Sequence, residues 1–419
     1  MSFVLLKSVL HRREVSDILI RGNRFEKIAP HIEAPAGTRV SDCSGKAIVP
    51  PFYNGHTHAA MTLLRGYADD LPLFDWLSRW IWPMETHLTP EDIYFGSRLA
   101  ILEMIKSGTV FFADMYWHRE ETIRAAEEMG VRANIGVTFA DSLMSPEAFE
   151  KNIRYLRQAK MNTERIRLSV TPHAIYTVGA ENFKRLFTLA EELDLVFHTH
   201  LSETEKEAAD CKQKYGQTPV GFLDSLGVLS PRTVLAHGVH LTAEDIEILR
   251  ERGVTVVHNP ASNMKLSSGV LNLPELIQSG VNLALGTDGA SSSNNLDMRE
   301  AMKLAALLTK LHYGSDRISS ETVFEMATRG GARAYGIDAG LIEEGKLADA
   351  LLLNLSNERL VPTHNLIPNW VYAAGSEAID SVICDGKFLM ENRIVPGEAE
   401  IIASAEAAAE GLWKKFRNP

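Results

Sequence analysis

The chain has 419 residues, 45% hydrophobic and 23% charged, a globular balance with length for one large domain and a smaller companion rather than a disordered or fibrous protein. Its net charge of -11, from 43 Lys+Arg against 54 Asp+Glu, comes without any basic run and speaks against a nucleic-acid surface. The three cysteines, Cys43, Cys211 and Cys384, are too scattered for a disulfide framework or a Cys-x-x-Cys metal site, which fits a reducing, cytoplasmic setting.

The opening MSFVLLKSVLHRRE has a short apolar run broken by Lys7, and no stretch approaches the ~18 apolar residues of a membrane span, so neither a signal peptide nor a membrane segment is expected. FVLLKSVL, SDILIRGNRFEKIA and RVSDCSGKAIVP then read as short strands punctuated by Gly and Pro, the pattern of a small antiparallel sheet. From Pro51 onward short apolar runs alternate with segments of helical spacing. The runs are IVPPFYNGHTHAA, TVFFADMY, RANIGVTFA, IRLSVTPHA, LVFHTHLSE, TVLAHGVHL, VTVVHNP and VNLALGTDGA, eight units that imply a closed barrel of parallel strands. In HLTPEDIYFGSRLAILEMIKSG, Thr89 suits a helix N-cap, Pro90 the first helical position and Gly108 the stop.

Strand texture returns after Gly340 in KLADALLLNL and AIDSVICDGKFLMENRIV, before the Ala-rich helical EAEIIASAEAAAEGLWKKF. The expected fold class is therefore α/β: a TIM-type (β/α)8 barrel over residues 52–340, and a small composite β-sandwich domain built from residues 1–51 and 341–419 with a C-terminal helix.

Residues two apart in a strand share a face, and barrel sites gather at strand C-terminal ends. His56 and His58 end the first candidate strand, His173 the fourth, His200 the fifth, His237 the sixth and Asp288 the eighth. Neutral imidazoles with one carboxylate suit a borderline divalent ion such as Zn²⁺ or Fe²⁺ with a position open for water. A single buried His is more often a hydrogen-bonded core residue, and His198, His240 and His258 are read that way. His198 shares a face with His200 and is placed one layer deeper in the barrel.

Five segments, NGHTHAAMTLLRGYADDLPLFDWL, HTHLSETEKE, LAHGVHL, HNPASNMKL and LGTDGASSSNN, carry a resemblance. Over essentially its whole length the chain resembles the amidohydrolase superfamily, and within its chlorohydrolase-like deaminase branch it is similar to the methylthioadenosine/S-adenosylhomocysteine deaminases. The resemblance implies one divalent ion, Zn²⁺ before Fe²⁺, held by His56, His58, His200 and Asp288. His237 would sit beside the water, and Asp288 would also accept its proton. Superfamily members with two metals bridge them through a carboxylated lysine or a glutamate on the fourth strand, and IRLSVTPHA has neither.

Hydrolytic deamination needs an acid that cycles protons to the ring nitrogen and the departing amine. Glu203, three residues past His200, is assigned that shuttle, although in SETEKEAAD it also reads as a first-turn carboxylate favoured by the helix dipole. The resemblance further implies that Glu85 would bind the ribose diol, Trp76 would pack on the nucleoside and His173 would touch the substrate. Against these, Trp76 also reads as core and Glu85 as a solvated residue before the Thr89 cap.

The expected activity is deamination of an adenosine-type purine nucleoside: methylthioadenosine, adenosine or S-adenosylhomocysteine. RANIGVTFADSLMSPEAFEKN has Arg132 only before the strand and none after it, which weakens the homocysteine member. A guanine-like, pterin-like or triazine ring is the alternative for the same site, and a catalytically silent barrel is the reading from a different class. The resemblance also implies a homo-oligomer, dimer or tetramer, with no nucleic-acid or membrane partner.

Overall fold

The computed structural model describes residues 2–159, 163 and 165–417. The ends of the two outer segments, Met1, Asn418 and Pro419, therefore lie outside the described residues.

Five strands come first: β1 (Phe3–His11), β2 (Glu14–Arg21), β3 (Arg24–Ala29), β4 (Arg39–Asp42) and β5 (Lys46–Val49). The barrel follows with β6 (Phe52–Thr57), β7 (Thr109–Asp114), β8 (Arg132–Phe139), β9 (Ile166–Pro172), β10 (Val196–Leu201), β11 (Thr233–His237), β12 (Thr255–His258) and β13 (Asn282–Leu285). Last come β14 (Ala350–Asn354), β15 (Ile379–Cys384) and β16 (Lys387–Met390).

The eight middle strands pair in chain order, all parallel, as the alternating apolar runs lead one to expect. β13 and β6 meet just past the end of β13. The Asp288 amide donates to the His56 carbonyl at 3.0 Å, and the Thr57 hydroxyl donates to the Asp288 carbonyl at 2.9 Å. Asn54 adds two side-chain bonds to Thr287, at 2.7 and 3.1 Å. The barrel thus closes at the level of His56 and Asp288, so its seam and its candidate ligands share one set of hydrogen bonds.

The helices obey their local signals. Thr89 caps Pro90–Lys106 in a reciprocal capping box with Asp92. Gly108, at φ +93°, turns the chain into β7 where a Cβ would lie 2.8 Å from Leu351, so both the backbone angle and the space select glycine.

The outer strands form a second sheet, β16-β15-β14-β5-β1-β2-β3, with β4 also on β1. It joins the two ends of the chain through the antiparallel β5–β14 pair. It is mixed rather than purely antiparallel. β1 bulges between Leu6 and Val9 and pairs in parallel with β4 before the bulge and with β5 after it, because the chain between β3 and β4 crosses back to run in the direction of β1. Leu6, Val9, Ile18, Ile20, Ile48, Leu352 and Ile383 fill its core.

The sheet meets the barrel floor through Arg132, which is 0% exposed and bonds Asp349 twice, at 2.8 and 3.2 Å, and Asp385 at 2.7 Å. The Tyr53 hydroxyl donates to the same Asp349 carboxylate at 2.7 Å. The C-terminal helix Glu398–Arg417 lies along Pro90–Lys106, with Arg98–Glu400 and Lys415–Asp92 ion pairs at 2.9 and 3.1 Å. Among the described residues no helix is long and apolar enough to cross a membrane.

Candidate active site

The four expected ligands converge at the barrel mouth. His200 Nε2 lies 3.1 Å from His56 Nε2 and 3.4 Å from His58 Nε2, and Asp288 Oδ1 lies 3.4 and 3.2 Å from the same two nitrogens. A tetrahedral ion with bonds of about 2.0–2.1 Å has ligand–ligand edges of about 3.3–3.4 Å, the scale of these separations.

The outer ring nitrogens show which atoms hold protons. His58 Nδ1 donates to the Met115 carbonyl at 2.5 Å and His200 Nδ1 to the His173 carbonyl at 2.7 Å. Carbonyls only accept, so both protons sit on Nδ1 and both Nε2 lone pairs face inward. Burial lowers the pKa of His56 and His200, which keeps these imidazoles neutral. Inward lone pairs at such distances repel one another unless a cation lies between them, so the donor set fits a borderline divalent ion. His237 falls in the same cluster, grouped with His56 and His200.

Three residues here hold left-handed backbone: His237 at φ +77°, Asp288 at φ +60° and Ser202 at φ +53°. Non-glycine residues enter this region at a cost and collect at functional sites. The Asn263 amide nitrogen lies 2.8 Å from His237 Nδ1, and His237 Nε2 faces Glu203 Oε2 at 3.8 Å.

Glu203 is not a first-turn helix residue. The helix begins at Glu205 behind the Thr204 N-cap, and Glu203 precedes that cap, buried at 4% exposure. Its backbone is held by Glu207, whose carboxylate accepts the Ser202 and Glu203 amides at 2.9 and 2.8 Å. Burial, then the negative charges of Asp288 and Glu207, pushes the Glu203 carboxyl well above the ordinary range. Burial also raises Glu207 to about 7, against the opposing backbone hydrogen bonds.

Trp76, Glu85 and His173 line the cavity above this centre together with Glu203, His237 and Asp288. Trp76 is both wall and core: it packs with Leu73, Leu77 and Ile81, and its indole N–H has no partner among the described residues. Glu85 is no solvated residue, since Trp117 Nε1 donates to it at 3.2 Å and burial raises its pKa. The Thr177 hydroxyl donates to the Ala174 carbonyl, so His173 Nδ1, 2.9 Å away, donates to Thr177 and leaves Nε2 as an acceptor. Burial drops His173 to about 3, so that acceptor stays neutral.

Beyond Glu85, Trp117 and Leu143 the cavity continues into an outer chamber bearing Arg119, Lys151 and Asn152. Arg132 is remote from it, in the barrel floor. The loop after β8 lacks arginine as the sequence shows, yet cations reach the chamber from elsewhere. Arg119 bonds Asn152 at 3.0 Å and stacks on Tyr155, while Lys151 is exposed and makes no ion pair among the described residues.

His240 Nε2 donates to the Ser268 carbonyl at 2.6 Å, and His258 is buried; neither joins the candidate ligands. His198 is buried one layer down as expected, but its Nε2 lies 3.1 Å from His56 Nδ1 and its Nδ1 lies 3.2 Å from the Tyr335 hydroxyl. Sequence reasoning misses Tyr335, Asn263 and Glu207 as neighbours of this centre. The two last lie in quoted motifs, HNPASNMKL and HTHLSETEKE, whereas nothing in the sequence ties Tyr335 to a strand 280 positions away.

The amidohydrolase family profile matches residues 47–389. A 5'-deoxyadenosine deaminase of Methanospirillum hungatei is 46% identical over 90% of this chain and 85% of its own length. A 5-methylthioadenosine/S-adenosylhomocysteine deaminase of Archaeoglobus fulgidus is 46% identical over 94% of each. Among solved structures, an adenosine deaminase from Xanthomonas campestris with bound zinc superposes with a TM-score of 0.91 at 34% identity over 98% of each chain. An atrazine chlorohydrolase from Arthrobacter aurescens, at TM-score 0.89 and 22% identity over 97% of this chain and 100% of its own, shares the fold.

Proposed function

The chain belongs to the amidohydrolase family, and from that premise we propose that it hydrolytically deaminates adenosine-type nucleosides, 5'-deoxyadenosine and 5'-methylthioadenosine foremost. The products are ammonia and the inosine-type nucleoside. The carrying observation is that His56, His58, His200 and Asp288 converge at the base of one pocket into which the buried Glu203 also faces, its carboxyl pushed above the ordinary range by burial.

A divalent ion held by those four residues, Zn²⁺ before Fe²⁺, supplies Lewis acidity that brings the pKa of water toward neutrality. Glu203 delivers its proton to the ring nitrogen beside the amidine carbon, which makes that carbon a better acceptor of the attacking water oxygen. Asp288 takes the water proton, and His237 Nε2 hydrogen-bonds the incoming oxygen. The proton held by Asp288 passes to Glu203, which delivers it to the exocyclic amine; ammonia leaves as the C–N bond breaks, and the proton of the new hydroxyl returns to Glu203 as the C=O bond forms. Glu85 accepts from the ribose diol, His173 Nε2 accepts from a substrate N–H or O–H, and Trp76 packs against the nucleoside.

A second reading concerns the 5' end. The exposed Lys151 and the nearby Arg119 favour some acceptance of a 5' substituent carrying a carboxylate, as in S-adenosylhomocysteine, despite the loop without arginine. Leu307 and Leu311, 46% and 81% exposed and four apart on the helix Met298–Tyr313, support the proposed homo-oligomer as an apolar contact.

The test is ammonia release from 5'-deoxyadenosine, methylthioadenosine, adenosine and S-adenosylhomocysteine by metal-loaded and metal-stripped protein. Metal-dependent turnover of the first three supports the proposal. Inertness toward all four, with turnover of a guanine-like, pterin-like or triazine ring, refutes the nucleoside assignment.

A further inference from the structure

Two hydrogen bonds connect His56 to Tyr335 through His198. The Tyr335 hydroxyl donates its single proton to the Gly55 carbonyl at 2.7 Å. Its oxygen is then left to accept from His198 Nδ1 at 3.2 Å, which places the His198 proton on Nδ1 and leaves Nε2 as an acceptor. His56 Nδ1, 3.1 Å from that acceptor, must carry the proton, and His56 Nε2 therefore presents its lone pair to the other ligands. Tyr335 and His198 are 2% and 0% exposed, which takes both out of contact with bulk solvent.

We propose that Tyr335 and His198 are positioning residues that lock the His56 tautomer. The proposal rests on the reading of His56, His58, His200 and Asp288 as a metal site. His58 and His200 take their tautomers directly from backbone carbonyls, and His56 alone relies on a side-chain relay. The relay has its own anchor: Arg167 on β9 donates to the Tyr335 and Gly336 carbonyls at 3.0 and 3.2 Å. Without the Tyr335 oxygen, His198 loses its reason to keep a proton on Nδ1. In its other tautomer it donates to His56 Nδ1 and drives the His56 proton onto Nε2, where it blocks the lone pair.

The experiment measures Zn²⁺ affinity by chelator competition for the parent, Tyr335→Phe, His198→Leu, His198→Gln and Tyr53→Phe, with the melting temperature of each metal-free protein alongside. Partners of ligating histidines contribute about 10–100-fold to metal affinity, so Tyr335→Phe and His198→Leu are expected to lose that much. His198→Gln, which keeps an acceptor for His56 Nδ1, is expected to recover most of it. Tyr53→Phe removes an equally buried hydroxyl at the barrel floor and is expected to lower melting temperature without lowering Zn²⁺ affinity. Zn²⁺ binding by Tyr335→Phe as tight as the parent's overturns the relay, as does an equal loss in Tyr53→Phe. Tyr335→Phe keeps the ring and decides the matter even where His198→Leu unfolds the barrel. A parent that binds no Zn²⁺ refutes the metal-site reading itself, whereas a binding parent with an unaffected Tyr335→Phe refutes only the relay.

Discussion

Replacing Glu203 by Gln isolates proton transfer from everything else the residue does. The amide matches the carboxyl in volume, and because burial favours the neutral form of Glu203, the exchange adds no charge to the site. The neighbours are undemanding: Ser268 Oγ lies 3.4 Å from one oxygen and His237 Nε2 3.8 Å from the other. The loop is held by Glu207 through backbone amides, not through the Glu203 side chain, so the turn should survive. Stability and metal content should therefore stay near the parent's. An amide cannot cycle a proton, and loss of general acid–base catalysis is worth about 10²–10⁴ in rate, or about 2.7–5.5 kcal/mol of barrier. The assay is steady-state ammonia release from methylthioadenosine, with bound metal counted on the same sample. Retention of more than about a tenth of the parent kcat at full metal occupancy, well short of the smallest general acid–base contribution, would refute the shuttle.

Arg132→Met strands the buried Asp349 carboxylate and should cost about 3–5 kcal/mol in urea unfolding, while kcat/KM per folded molecule stays unchanged because the pair lies at the barrel floor. A change in kcat/KM would show that the floor is coupled to the mouth. His200→Ala should abolish Zn²⁺ binding measured by chelator competition, since it removes the nitrogen at the centre of the ligand set; retained stoichiometric metal would displace His200 from that set. Glu207 gives a pH test. Its folded pKa of about 7 lies above its ordinary 4.5, so its stabilising contribution is complete below pH 4.5 and is lost as pH rises through 7. That shift corresponds to about 3 kcal/mol. Glu207→Gln should flatten the decline in unfolding free energy between those pH values; an unchanged slope would mean that Glu207 does not titrate there.

The periodic alternation from Pro51 to Asp288 specified a parallel barrel, because a short apolar run buried on both faces followed by an amphipathic helix has few other ways to hide its surface. With the barrel assigned, strand-end positions put His56, His58, His200, His237 and Asp288 at one mouth, since that step needs only the two-residue period of a strand. Helix punctuation at Thr89 and Pro90 was equally local. Other features were not local. The first-turn reading of Glu203 fails because the cap falls at Thr204, a boundary that sequence spacing leaves open by a residue or two. The mixed pairing of β1 depends on how the chain between β3 and β4 returns. The cations of the outer chamber, Arg119 and Lys151, arrive from the helices after β7 and β8, and no reading of one loop reveals both. Tyr335 reaches Gly55 across 280 positions. The sequence by itself determined which residues stand at strand ends, since strand and helix periods act between near neighbours. Only the tertiary structure decided which hydroxyl, carbonyl or carboxylate each of them meets, because hydrogen-bond partners are set by the closing of the barrel on itself.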